Sequence, residues 1–336
     1  MKNLFAALLA LCACAGPALA QPHAVLVTID GFRWQEVFHG ADPALVTTPQ
    51  DKARYIDVVD RAAALTPFLQ SLRTEGVLFG DREAGSCAKV ENRYWFSYPG
   101  YAEMLSGRPN PHIKANAKTL NDDVTVLEWL NSRPGFENSV RVYAEWDVVP
   151  FILNAPRSKL PIYFAPPDAP THDNYVIGEA AAVASDAPRV AWVGLGDTDN
   201  RAHEGNYSAY LAAAAAADGF LADLWAKLQA DPRTAGQTTL IVTADPGRGA
   251  SAHGQWRGHG SGLYRGVWVP RVRKAGSDAV FMGAIGPAIQ PGSSAQYTGT
   301  NCAVTGQIAA TLLRSLDQNP TDFSPEIRAP LNIFRN

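Results

Sequence analysis

Apolar residues recur along this chain in short unbroken runs. They read AVLVTI (24–29), GVLFGD (76–81), SVRVYA (139–144), VAWVGL (190–195), TLIVTA (239–244) and AVFMGAI (279–285). Strands that are apolar throughout belong to sheets covered on both faces. Between several runs the period becomes helical. DRAAALTPFLQSLRTEG precedes the second run and NDDVTVLEWLNSR the third. NYSAYLAAAAAADGFLADLWAKLQADP carries apolar residues at helical spacing from Tyr207 to Leu228, and CAVTGQIAATLLRSL predicts a late helix. This alternation predicts an α/β fold, with a largely parallel central sheet and helices on both faces. The proline-rich stretch NAPRSKLPIYFAPPDAPTHDN (154–174) predicts a surface excursion or small cap. No repeat, linker or composition shift marks a boundary, so residues 21–336 read as a single domain.

The amino terminus has a different pattern. MKNLFAALLALCACAGPALAQP has one early lysine, an apolar stretch from Leu4 to Ala15 and a small-x-small site at Ala18-Leu19-Ala20. That is the layout of a secretory signal peptide over residues 1–20. The alternatives are a buried helix or a lipoprotein site at Cys14. The stretch is short for a bilayer span. A periplasmic or secreted chain follows, with no stable membrane partner. The net charge is -3 and the basic residues are scattered, which disfavours nucleic acid. Cys87 and Cys302 remain after cleavage, and an exported chain permits a disulfide between them. Two buried thiols are the other reading. Oligomeric state is not encoded legibly.

Candidate chemistry gathers at strand ends. In open α/β sheets, ligands sit beyond the carboxyl ends of the strands. Asp30 follows AVLVTI directly, Asp199 lies just past VAWVGLG, and Asp245 follows TLIVTA directly. One such aspartate is an ordinary turn or cap residue; three along one edge can meet. In DTDNRAHEG, Asp199 and His203 are four apart and face the same way on a helical turn. A carboxylate and an imidazole so placed suit a divalent metal. Asp197 is the expected helix cap. His259 sits between glycines in WRGHGSG, close enough in sequence to Asp245 to reach the same rim. In NRYWFSYPGYAEMLSG, Pro99 marks a helix start and places Ser97 where amide groups and the helix dipole favour an anion. Ser97 reads as a plain cap or as a metal-activated nucleophile. Asn92, upstream, fits a turn or a contact to substrate. The aromatics around Ser97 fit core packing first and a pocket lining second.

The order of these segments resembles the alkaline phosphatase superfamily of metal-dependent phosphatases, phosphodiesterases and sulfatases. VTIDGFRWQEVF is similar to the first metal-ligand segment, FSYPGYAEMLSG to the nucleophile segment, and LGDTDNRAHEGNYSAYL to the Asp-x-x-x-His segment. TTLIVTADPGRG resembles the segment that normally reads Asp-His-Gly, and WRGHG the last metal-histidine segment. The likeness runs from about residue 24 to about residue 290 and keeps the family order. It implies two metal sites, one at Asp199, His203 and His259, the other at Asp30, Asp245 and the Ser97 oxygen with a histidine at position 246. Position 246 is Pro246, which has no ligand atom.

The resemblance thus implies an exported hydrolase of small phosphoric or sulfuric esters, working through Ser97 and a covalent intermediate. Zinc is expected at the Asp199 site. Zinc, magnesium, manganese, calcium or nothing is expected at the Asp30/Ser97/Asp245 site, since oxygen-only sites favour the harder ions. His253 is a possible substitute ligand for the missing histidine. The alternative function is a catalytically decayed relative that binds a metal or ligand.

Overall fold

The computed structural model describes residues 21–164 and 172–335. The expected leader over residues 1–20 lies outside them. Among the described residues, seven strands form the main sheet: β1 His23–Ile29, β2 Val77–Phe79, β3 Val140–Ala144, β4 Ile162–Phe164, β5 Val190–Leu195, β6 Thr238–Thr243 and β7 Met282–Ile285. Their order across the sheet is β2-β7-β6-β1-β5-β3-β4. Strands β6, β1, β5, β3 and β4 pair in parallel, and β7 runs antiparallel to both β2 and β6. Every residue of β1, β5 and β6 is buried, as their unbroken apolar runs require. Helices α1 Pro67–Glu75, α2 Ser97–Ser106, α3 Asp197–Glu204, α4 Tyr207–Ala230 and α5 Gln307–Ser315 are among those that surround the sheet. No described helix is long and apolar enough to cross a membrane.

The sequence-based expectations need three refinements. The helical stretch before β2 breaks at Thr66, leaving Arg61–Leu65 and α1 as separate helices. Pro67 disfavours the helical region for the residue before it. The last apolar run divides at Phe281 between a short strand, Ala279–Val280, and β7. That short strand joins Ala88–Lys89 and Ala303–Val304 in a small second sheet. The stretch 154–174 is also more than an excursion, because β4 lies within it and forms the sheet edge.

Cys87 and Cys302 form a disulfide that spans 215 residues of sequence. It joins the residues immediately before Ala88 and Ala303, which are partners in the small sheet. Closing so long a loop restricts the unfolded chain, an effect worth about 2–5 kcal/mol. Reduction, or Cys87→Ser, is expected to lower stability by that amount, read as a drop in denaturant midpoint with a steeper slope, because the freed unfolded chain exposes more surface.

Candidate metal and nucleophile site

Three loops converge because their strands are neighbours in register. Thr28 pairs with Thr243 and Ile29 with Leu195, so β6, β1 and β5 end together. Asp30 leaves β1, Asp245 lies two residues past the end of β6, and Asp199 lies in the first turn of α3 after β5. All three carboxylates come to one rim. Asp245 is fully buried; its Oδ1 accepts from the Gly31 N–H at 3.3 Å, and its Oδ2 is buried without a hydrogen-bond partner.

Ser97 opens α2 and is buried. Its hydroxyl donates to Asp30 Oδ1 at 3.3 Å, and the Tyr101 hydroxyl, one turn on, lies 3.5 Å from Asp30 Oδ2. Gly100 lets this helix close on β6, since a Cβ there would stand 1.8 Å from the Asp245 carbonyl oxygen. Glu103, buried within the same helix, accepts from the Glu91 and Asn92 amides and from the Asn92 side chain. Asn92 in turn accepts from the Tyr94 and Trp95 amides, so it shapes the turn before Ser97. The helix start offers fewer anion donors than expected. Tyr98 N–H is bound by Asn116 at 2.9 Å, and Pro99 has no N–H.

His203 Nε2 lies 3.2 Å from Asp199 Oδ2, and His259 Nε2 lies 3.5 Å from Asp199 Oδ1. Ligand atoms held by one tetrahedral zinc lie roughly 3.3–3.6 Å apart. Both Asp199–histidine distances match that spacing, and all three ligand atoms lie within 4.8 Å of one another, a grouping that can hold one ion. His259 Nδ1 is 3.1 Å from the Trp95 carbonyl oxygen, which orients the ring and leaves Nε2 for the ion. Burial lowers the His259 pKa against the opposing pull of Asp199, favouring the neutral, ligating form. The second set fits a cation through its chemistry. The unpartnered Asp245 Oδ2 is a buried anionic acceptor close to Asp30 and Ser97.

The missing histidine is not supplied by His253, which is exposed and in the left-handed region at φ 54°. Instead Arg248, two residues past Pro246, fills the space beside Asp199. Its side chain is 0% exposed. Nη1 donates to Asp199 Oδ1, Nε to the Trp256 carbonyl at 2.8 Å and Nη2 to the Arg257 carbonyl at 2.6 Å. Gly31, at φ +62°, leaves the necessary room: a Cβ there would stand 2.5 Å from Arg248 Nη1 and 2.8 Å from Asp199 Oδ1. The second residue not foreseen is Asp173. Asp197 is the first helical residue of α3 rather than its cap, and Asp173 accepts from the Gly196 and Asp197 amides at 2.7 and 3.1 Å. The only sequence signal for Arg248 is its place two residues beyond a strand-end aspartate and proline; for Asp173 there is none.

The electrostatics follow from three buried carboxylates in close company. Burial, then the charges of Asp245 and Asp199, push Asp30 well above the usual carboxylate range. Burial and Asp199 push Asp245 up to about 7. Burial alone would raise Asp199 too, but Arg248 and hydrogen bonds from His203 and His259 hold it well below 3.8. Without a bound cation, then, the rim stores protons, which a divalent ion must displace. Metal affinity is expected to fall as pH drops through about 7. The metal-free fold should show the opposite trend. A folded-state pKa of about 7 against an ordinary 3.8 gives a stabilising contribution that is lost as pH rises through that window. The melting temperature of the chelated protein is therefore expected to fall as pH rises from about 4 to about 7, and added metal to reverse the slope.

The rim opens into a cleft of ≈ 350 Å³ lined by Ser97, Asp30, His203 and His259 and walled by the aromatics Phe96, Tyr101, Trp146, Trp192 and Tyr264. Of the aromatics around Ser97, Phe96 and Tyr101 join this wall; Tyr94 and Tyr98 are core.

No protein-family model matches the chain, and no curated protein matches it in sequence. Solved structures do. A 2-O GAG sulfatase is 14% identical, with a TM-score of 0.54 over 93% of this chain and 72% of that one. A protein in the alkaline phosphatase superfamily from Vibrio parahaemolyticus is 16% identical, with a TM-score of 0.52 over 89% of this chain and 67% of that one. Murine ectonucleotide pyrophosphatase/phosphodiesterase 5, in complex with AMP, is 13% identical, with a TM-score of 0.55 over 89% of this chain and 96% of that one. At these identities the likeness speaks for architecture. The sheet order, the strand-end aspartates and these neighbours together establish that the chain has the alkaline-phosphatase-like fold.

Proposed function

We propose that the protein is an exported, metal-dependent hydrolase of small phosphoric or sulfuric esters, with Ser97 as nucleophile. The observation that carries this is the buried Ser97 hydroxyl, at a helix start and 3.3 Å from Asp30, on the same rim as the Asp199/His203/His259 trio. Zinc suits that trio by its nitrogen and oxygen donors. Any ion held at Asp30, Asp245 and Ser97 would be a harder one. When bound, a divalent ion supplies positive charge for the ester oxygens and lowers the pKa of hydroxyl groups beside it. Ser97 Oγ bonds to phosphorus or sulfur as the bond to the departing alcohol oxygen breaks, and Asp30 Oδ1 is placed to take the hydroxyl proton. Water then bonds to the phosphorus or sulfur as its bond to Ser97 Oγ breaks, and Ser97 recovers its proton while the acid product leaves. The aromatic walls hold the organic part of the substrate and exclude bulk water. The neighbours named as a sulfatase and as a phosphodiesterase bound to AMP span both ester classes.

The test is a panel of nitrophenyl phosphate, bis-nitrophenyl phosphate and nitrophenyl sulfate with the purified protein. Turnover of at least one ester, lost on chelation and restored by a divalent ion, is expected. Bound metal with no turnover of any ester would sink the reading. Pro246 favours a second reading, a decayed relative that binds without turning over; turnover gained only in Pro246→His would select it.

A further inference from the structure

We propose that a hairpin at the mouth of the cleft docks a further anionic group of the substrate, so that the protein takes a dissolved polymer carrying repeated sulfate or phosphate esters. This names the substrate class of the proposed hydrolase and rests on that reading for the role of the cleft. It starts from where positive charge lies. Among the described residues, the cleft that holds Ser97 is lined by no lysine or arginine. Beside it, the chain from Pro246 to Ser277 carries five arginines, one lysine and no acidic residue, in a protein of net charge -3. Part of this stretch folds as a two-stranded hairpin, Leu263–Tyr264 against Val267–Trp268. Its turn holds Arg265 at φ 50° and Gly266 at φ 86°, both left-handed, as a two-residue hairpin turn requires. Asparagine and glycine suit the first of these positions better than arginine does. The hairpin is joined to the site. Tyr264 lines the cleft, and its ring meets Phe96, the neighbour of Ser97, edge to face at 6.1 Å.

Two exposed guanidiniums are laid over the hairpin's rings, Arg265 over Tyr264 at 5.5 Å and Arg273 over Trp268 at 6.0 Å. An arginine resting on an aromatic face keeps its edge N–H groups free, preset to bridge two oxygens of a sulfate or phosphate. Among the described residues, the ion pairs of the fold include neither Arg265 nor Arg273. Lys114 extends the positive surface, since the Arg265 N–H donates to its carbonyl at 3.3 Å. Arg265, Lys114 and His112, with Asp122, border a hollow of ≈ 300 Å³ beside the hairpin. Charges outside the cleft cannot serve the ester being cut, so they fit anionic groups farther along the same molecule. A lipid surface fits less well. Trp268 is held between Gly262, where a Cβ would stand 2.4 Å from the ring, and Arg273. That leaves Val267 alone at the tip, too little apolar surface to insert.

The experiment is binding to dextran sulfate, with uncharged dextran and phosphatidylglycerol vesicles as the comparison surfaces. The wild-type protein is expected to bind dextran sulfate alone, more weakly as salt rises, and soluble dextran sulfate is expected to compete with nitrophenyl esters for turnover. The double variant Arg265→Ala/Arg273→Ala is expected to bind at least about 10-fold more weakly, having lost two charge-assisted contacts. Arg54→Ala/Arg73→Ala, which removes two exposed arginines outside this stretch, is expected to bind as the wild type does. Equal binding by the hairpin variant, equal loss in the control pair, or tighter binding to the vesicles would overturn the inference. Binding without competition would overturn it too, by placing the polymer away from the cleft. If no ester is turned over, the hydrolase reading fails by itself; polymer binding that depends on Arg265 and Arg273 would leave the docking surface standing.

Discussion

Ser97→Ala is expected to lower ester turnover at least about 10³-fold while leaving zinc content unchanged. The size follows from the role. A nucleophile that forms the covalent bond has no partial substitute, and the next hydroxyl, on Tyr101, already points toward Asp30 Oδ2. The zinc content is expected to be unchanged because the trio at Asp199, His203 and His259 does not include Ser97, whereas a harder ion at Asp30, Asp245 and Ser97 would be weakened. The measurement is kcat on the best ester of the panel, paired with elemental analysis of the same sample. Undiminished turnover would mean that another group attacks.

Asp199→Ala has two consequences at once. It removes the carboxylate ligand from the trio, and it leaves the Arg248 guanidinium buried without its counter-charge. Breaking a buried pair from one side costs about 3–5 kcal/mol, because the remaining charge is uncompensated. The variant is expected to lose that much stability even in the presence of a chelator, where metal loss plays no part. Adding Arg248→Met to Asp199→Ala should recover most of it, since the stranded charge is then gone. Denaturant melts of the wild type, both single variants and the double variant form a cycle that isolates the coupling. Additive single effects would show that Asp199 and Arg248 act independently.

Much of the sheet was legible because its strands are buried on both faces and so leave unbroken apolar runs. β1, β5 and β6 fall within a residue of the runs that predict them. Asp30, Asp199 and Asp245 were legible for a related reason. In a parallel sheet the carboxyl ends share an edge, so a strand-end aspartate has a predictable neighbourhood. β4 was hidden because a three-residue edge strand among prolines carries no periodic signal. The direction of β7 was hidden as well, since a run of apolar residues has no polarity. Arg248 and Asp173 were missed for a third reason. Each acts on another segment through its side chain, and chain order does not tell where a side chain ends. Glycines on both sides of Arg248 allow its loop several paths. Only the packing of Trp256, Arg257 and Gly31 around the guanidinium selects one.

The Cys87–Cys302 bridge makes the chain between them a covalent ring, and five of the six residues assigned to the chemistry lie inside it; Asp30 alone is outside. A protease that nicks any one loop of that ring releases no fragment. The cut protein would run as one band on a non-reducing gel and as two once reduced. Outside a cell, where proteases act while the bridge persists, the assembled rim can outlast the first cut.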